Sequence, residues 1–116
     1  MHELSIAKEI ITIVKESIPD STWKVKTVKV KVGKLSGVLI DSLKFSYESI
    51  VRNTELEGSQ IDVEEIPLKL FCRKCLNEFD TNDYIFYCVN CNSSEIEVKA
   101  GNELFVSEVE LKSNED

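Results

Sequence analysis

All four cysteines of the 116-residue chain fall in one stretch, as Cys72-Arg73-Lys74-Cys75 and Cys88-Val89-Asn90-Cys91, with twelve residues between the pairs. A two-residue spacer lets both thiolates of a pair turn back onto one ion, and two such knuckles complete a tetrahedral all-sulfur shell that suits Zn2+. Such a shell is closed. It leaves no position for water or substrate, so its role is structural rather than catalytic. Two disulfides or four unrelated core cysteines are much the weaker reading. A Cys-x-x-Cys redox pair needs a helix N-terminus to lower a thiol pKa, and neither pair opens a convincing helix.

The second group is Met1-His2-Glu3. His2 is the only histidine, and a lone histidine beside a terminus ordinarily reads as solvated and without a role. Its position nevertheless offers specific chemistry. The Met1 amine, the His2 backbone nitrogen and the imidazole can close adjacent chelate rings on one ion. A further backbone nitrogen or the Glu3 carboxylate can supply a fourth donor. A planar, nitrogen-rich set suits Ni2+ or Cu2+ rather than Zn2+. A bulky second residue also disfavours removal of Met1, so the amine is expected to stay.

The bulk numbers bound the rest. A length of 116 residues is one domain, or one domain plus a small module. Hydrophobic residues make up 42%, enough for a modest core, and the net charge is -7. That acidic balance argues against nucleic-acid backbone binding. No apolar run approaches the roughly 20 residues that span a bilayer. His2, Glu3, Lys8 and Glu9 break any continuous apolar signal-peptide core. The expected compartment is a reducing cytoplasm, where thiolates bind metal rather than form disulfides.

The elements that must position these groups follow from periodicity. Leu4, Ala7, Ile10, Ile11, Val14 and Ile18 recur at helical spacing, predicting a helix over residues 3–18 that Pro19 ends. Val28, Val30 and Val32 alternate with Lys29 and Lys31, predicting a strand over 23–33. Val25 is out of phase, which either a bulge near Lys26-Thr27 or a late strand start would explain. The lysine row reads as a solvated face. Asp41 is placed to N-cap a second helix running to about Asn53, with Leu43, Tyr47, Ile50 and Val51 as its stripe and Phe45 to one side. A second strand is predicted over 60–66, parallel to the first through the helical crossover.

From residue 68 to residue 100 the periodicity is poor. Short β pieces are predicted at 69–71, 84–87 and 95–98, the layout of a zinc ribbon with two hairpins clamped by a metal. So small a module cannot bury enough apolar surface to fold alone, and metal binding should supply on the order of 10 kcal/mol of its folding free energy. A last strand over 103–111, with Phe105, Val109 and Leu111 on one face, should return to the first sheet. Residues 112–116 read as a frayed polar tail. The expected fold is α+β: two helices packed on a small mixed three-stranded sheet, with an inserted four-cysteine zinc-ribbon module. The expected division is 1–67 with 101–116 as an α/β domain that carries the N-terminal metal donors, and 68–100 as a zinc-binding domain.

The opening Met1-His2-Glu3-Leu4-Ser5 before an amphipathic helix resembles the start of the HypA family of hydrogenase nickel-incorporation proteins. The similarity continues through Val32-Gly33-Lys34-Leu35-Ser36-Gly37-Val38, Leu43-Lys44-Phe45-Ser46-Tyr47, Leu56-Glu57-Gly58, Ile66-Pro67, both knuckles and the strand at 103–110. It covers essentially the whole chain. The resemblance implies a metallochaperone that carries Ni2+ and helps insert it into the large subunit of [NiFe]-hydrogenase. It implies a partner GTPase of the same maturation pathway and, in some organisms, service to urease as well. It places nickel on Met1, His2 and Glu3, and zinc on Cys72, Cys75, Cys88 and Cys91. Some relatives carry histidines beside the knuckles, and this sequence has none there, so a histidine switch of the zinc site is unsupported.

Two other classes compete. A zinc-ribbon adaptor for nucleic acid would want a basic ribbon. Residues 68–100 instead hold four cations (Lys69, Arg73, Lys74, Lys99) and five anions (Glu78, Asp80, Asp83, Glu95, Glu97), before the thiolates are counted. A thiol oxidoreductase would need a reactive cysteine pair. No nucleophile–base constellation marks the chain as an enzyme.

Overall fold

The computed structural model describes residues 2–113, His2 by its backbone alone. Its elements are α1 (His2–Ser17), β1 (Trp23–Gly33), a 3-10 turn (Lys34–Ser36), α2 (Ile40–Val51), β2 (Gln60–Ile66), β3 (Leu68–Cys72), β4 (Glu78–Thr81), β5 (Ile96–Ala100) and β6 (Leu104–Ser113). The strands form two sheets of three, in the orders β2-β1-β6 and β4-β3-β5. The chain falls into two compact units: residues 1–31, 38–64 and 105–116, and residues 32–37 with 65–104.

In the first unit α1 packs on α2. Ala7, Ile10, Ile11 and Val14 of α1 are buried, as are Leu43, Tyr47 and Val51 of α2. Each fully buried aliphatic side chain contributes about 1.5–3 kcal/mol over its exposed state. The stripes are narrower than the periodicity suggests. Leu4, in the first turn of α1, is 46% exposed and Ile50 is half-buried, while Phe45, to one side of the stripe in the middle of α2, is 68% exposed.

Tyr47 carries a polar network within this core. Ser59 Oγ donates to Leu56 O at 2.6 Å, and Tyr47 OH lies 2.7 Å from Ser59 Oγ. Ser59 has a single proton to give, so Tyr47 is the donor in that second bond. Burial pushes the Tyr47 phenol up, and the Ser59 bond offsets part of that rise.

Strand β1 holds the centre of its sheet. Val25, Val28, Val30 and Val32 are all buried, although Val25 and Val28 are three apart. The alternation therefore shifts phase between them, where a bulge was expected. Strand β6 returns beside β1, as its lack of a partner in the ribbon predicts. Gly33 N donates to Glu103 O, Ser107 Oγ donates to Lys29 O, and Lys26 pairs with Glu110. One number falls as the other rises, so the two strands are antiparallel. The lysine row is thus not merely solvated. Of that row Lys29 reaches Glu108 across the strands, and Lys26, earlier in β1, reaches Glu110, exposed pairs worth about 0.2–1 kcal/mol each.

Several boundaries differ from expectation. Helix α2 begins at Ile40 with Leu39 as its N-cap residue, and no side chain of its own caps it. Asp41 lies inside the first turn instead, where its negative charge favours the helix dipole. The helix closes at Val51, whose carbonyl accepts from Thr54 N and Thr54 Oγ1, and Asn53 turns left-handed at φ 63. Lys112 and Ser113 belong to β6 rather than to a tail, and 114–116 lie outside the described residues.

In the second unit β3 is the central strand, antiparallel to both β4 and β5. Leu68, Leu70 and Cys72 alternate inward and are fully buried. Tyr84, Ile85, Phe86 and Tyr87 form no strand. Their aromatic character fits strand propensity, but both edges of the central strand β3 are already taken by β4 and β5. Tyr84 OH donates instead to Lys34 O at 3.1 Å, with the Lys34 ammonium 5.5 Å from the ring centre. Strand β4 pairs with β3 in their place, and its sequence Glu78-Phe79-Asp80-Thr81 has no apolar alternation.

Candidate metal centre

Each cysteine pair sits in a turn that the sequence builds the same way twice. Strand β3 ends at Cys72, and its carbonyl accepts from Leu76 N at 2.9 Å, while Cys72 N donates to Asn77 O at 2.8 Å. In the second turn Cys88 O accepts from Asn92 N and Cys88 N donates to Ser93 O, both at 2.8 Å. Both turns close through a left-handed residue, Leu76 at φ 64 and Asn92 at φ 61. Asn tolerates that conformation well, whereas for Leu it is strained. The β3–β4 turn holds the first knuckle, and the long join between β4 and β5 holds the second.

These two turns bring the four Sγ atoms within 4.8 Å of one another. Cys72 Sγ lies 3.7 Å from Cys91 Sγ, and Cys75 Sγ 3.5 Å from Cys88 Sγ. None of the four is in a disulfide. With Zn–S bonds of ~2.3 Å, a tetrahedron has sulfur–sulfur edges of ~3.8 Å. The observed separations fit that size, and a set of four soft thiolates fits Zn2+ by chemistry. Cys72 and Cys88 are buried and Cys91 is exposed, so the cluster has an inner and an outer side.

Backbone N–H groups point at the sulfurs. Cys75 N donates to Cys72 Sγ, and both Asn90 N and Cys91 N donate to Cys88 Sγ, each at 3.4 Å. Asn90 Nδ2 reaches Cys75 Sγ at 3.7 Å. The Asn90 amide, with help from the Asn77 backbone, draws the Cys75 thiol down to about 6. At Cys91 the Ser93 backbone pulls the other way, but burial and the three neighbouring sulfurs together push that thiol up to about 12. Without a cation the cluster cannot hold four thiolates side by side, which is the electrostatic case for a divalent ion among them.

The N-terminal candidates are only partly visible. Glu3 lies in the first turn of α1 and is half-buried. Its Oε2 accepts a hydrogen bond from Leu39 N at 3.2 Å, at the start of α2. Met1 and the side chain of His2 lie outside the described residues. The Glu3–Leu39 bond joins groups 36 residues apart, and no local pattern signals it. Asn90 was likewise invisible in sequence, where it is only a knuckle spacer. Among the described residues, the four cysteines are the one cluster of metal-ligating side chains.

Comparison with known proteins agrees along the whole chain. Residues 1–111 match the family described as "Hydrogenase/urease nickel incorporation, metallochaperone, hypA". The chain is 37% identical to the hydrogenase maturation factor HypA of Desulfatibacillum aliphaticivorans, over 100% of this chain and 91% of that protein. It is 38% identical to the factor of the same name from Nitrosospira multiformis, over 96% of this chain and 97% of that one. The fold is similar to the solution structure of the Ni metallochaperone HypA from Helicobacter pylori, with a TM-score of 0.64 at 20% identity, covering 97% of this chain and 98% of that one. A second solution structure, of HypA protein, gives a TM-score of 0.68 at 22% identity, with 97% of each chain covered. The chain therefore belongs to the HypA family of metallochaperones for nickel incorporation into hydrogenase and urease.

Proposed function

We propose that this chain carries Ni2+ on its N-terminus and helps deliver it to the large subunit of [NiFe]-hydrogenase during maturation. The family is one of metallochaperones, so the chain is not an enzyme. The donors proposed for nickel are the Met1 amine, the backbone nitrogen and imidazole of His2, and Glu3. The nickel is cargo. The resident ion is Zn2+, held by Cys72, Cys75, Cys88 and Cys91, where it supplies structure alone. Residues 1–67 with 101–116 form the nickel-binding domain and 68–100 the zinc-binding one. The partners are the maturation GTPase and the hydrogenase large subunit, with urease maturation proteins as further clients, and the site of action is the cytoplasm.

The observation that carries this reading is the convergence of four thiols at zinc-sized separations in a chain whose whole length matches a nickel-incorporation family. One ion is locked by sulfur, and nitrogen donors at an accessible terminus suit an ion that must be released. No helix among the described residues is long and apolar enough to cross a membrane.

The test is metal analysis of untagged protein, with nickel titrated in after zinc is counted. One tightly held zinc and one exchangeable nickel are expected. Nickel binding should vanish in His2→Ala or on extending the N-terminus, while the circular dichroism stays unchanged. Undiminished nickel affinity in a tagged chain would remove the amine from the site.

A further inference from the structure

The two knuckles can be compared bond for bond. In each, the first cysteine's carbonyl accepts from the residue after the second cysteine, and its N–H donates to the carbonyl one residue beyond that. In each, the second cysteine's N–H donates to the first sulfur at 3.4 Å. Cys75 accepts from the Asn77 backbone, and Cys91 from the equivalent Ser93 backbone. One side chain departs from this pseudo-symmetry. Asn90 occupies the second spacer position of its knuckle, where the first knuckle has Lys74.

The Asn90 backbone N–H donates to Cys88 Sγ at 3.4 Å, which fixes where its side chain begins. From there Nδ2 reaches Cys75 Sγ of the other knuckle at 3.7 Å. Asn90 therefore straddles the Cys75–Cys88 pair, whose sulfurs are 3.5 Å apart. An ammonium on a flexible four-carbon stem, as at Lys74, has no such fixed planar donor.

We infer that Asn90 is a positioning residue: its side-chain amide holds the Cys75 sulfur toward Cys88 and sets how tightly the cluster keeps its metal. This rests on the four-cysteine zinc reading above. Four thiolates around one divalent ion leave an excess of negative charge on sulfur. An N–H aimed at one sulfur draws off part of that charge and orients the ligand. Removing such a partner characteristically weakens metal binding by ~10–100-fold, and for an exposed bond the low end, about tenfold, is expected.

The experiment uses the untagged full chain. Zinc affinity is measured by competition with a chromophoric chelator for the unaltered protein, Asn90→Ala, Asn90→Asp and Lys74→Ala. The same proteins are loaded with Co2+, and the sulfur-to-cobalt charge-transfer band is recorded. Asn90→Ala should bind zinc about tenfold more weakly, with the band shifted to lower energy because the sulfur is more electron-rich. Asn90→Asp, the same shape without the donor, should lose at least as much. Lys74→Ala should leave the band in place.

An Asn90→Ala protein with unchanged affinity and an unshifted band overturns the inference. So does weaker binding with an unmoved band, which would mean that Asn90 only helps the turn to fold. A Lys74→Ala shift equal to that of Asn90→Ala overturns it too. If the unaltered protein binds no zinc, the metal reading itself fails, and that outcome is distinct from the others.

Discussion

Replacing Glu3 separates its structural part from its proposed metal-binding part. Helix α2 starts at Ile40 with a leucine at the cap position and no side-chain cap of its own. Glu3 Oε2 instead accepts the N–H of the cap residue itself, Leu39, from the first turn of α1, as the acid of a capping box does. Loss of one such exposed hydrogen bond costs about 1 kcal/mol. For a chain of this size that is a fall of about 4 °C in Tm. With a urea slope of ~1.5 kcal/mol/M it is a midpoint shift of about 0.7 M.

Glu3→Gln keeps a side-chain carbonyl at the same reach but loses the charge, so it should fall between the parent and Glu3→Ala. Unfolding is followed by circular dichroism and by the fluorescence of Trp23, the only tryptophan, in nickel-free buffer with zinc retained. A parallel nickel titration reads the other role. If the carboxylate is a nickel donor, Gln and Ala lose affinity equally, because both lack it. A stability midpoint unmoved in Glu3→Ala, or a Gln variant less stable than Ala, would refute the capping argument.

Three further outcomes follow from the geometry. A Cβ at Gly33 would lie 2.1 Å from Gly101 O and 2.6 Å from Glu103 N, both backbone. Gly33→Ala must therefore break the Gly33–Glu103 and Leu35–Gly101 hydrogen bonds, at a cost of about 3 kcal/mol; a loss under 1 kcal/mol in urea unfolding would contradict this. Leu76→Gly relieves a left-handed residue that is 70% exposed, so little packing is lost. It should stabilise the first knuckle by about 1 kcal/mol, seen as ~5-fold tighter zinc; weaker zinc would count against the strain. The hydroxyl and backbone N–H of Thr22 hold the Asp20 carboxyl below its ordinary value. Because the folded value is depressed, the contribution of this turn is present above the ordinary aspartate pKa. It is lost as pH falls through the folded value. Carboxyl NMR titration should find the Asp20 midpoint low and Thr22→Val should raise it; an unchanged midpoint would show that the Thr22 hydroxyl does not matter.

What the sequence made legible was periodic or local. The valine alternation of β1 and its phase slip at Val25 appear as read, because a strand face is written in every second residue. The Cys-x-x-Cys spacers predicted the convergence of sulfurs, since a two-residue spacer constrains the turn whatever surrounds it. The misreadings were non-local. Asp41 had the right chemistry for a cap but lies inside the first turn, and it is Glu3, distant in the chain, that bonds the N–H of the cap residue Leu39. Tyr84, Phe86 and Tyr87 have strand propensity, but β3 had no free edge to offer them. Leu4 fits a helical stripe and is still 46% exposed, whereas Phe45, read as lying to one side of its stripe, is exposed as that placement implies.

The end of β5 lies beside the start of β3. Lys69 pairs with Ala100, and a Cβ on Gly101 would stand 3.3 Å from Leu68 Cα. The ribbon segment thus leaves the chain and rejoins it at nearly one point. Little entropy is needed to close whatever replaces it, because the endpoints already touch. Such a segment behaves as a cassette: a different ribbon, or a short tight turn, can be grafted between residues 68 and 101 with the flanking chain still meeting at the same place. Lineages that needed another knuckle chemistry could exchange it whole.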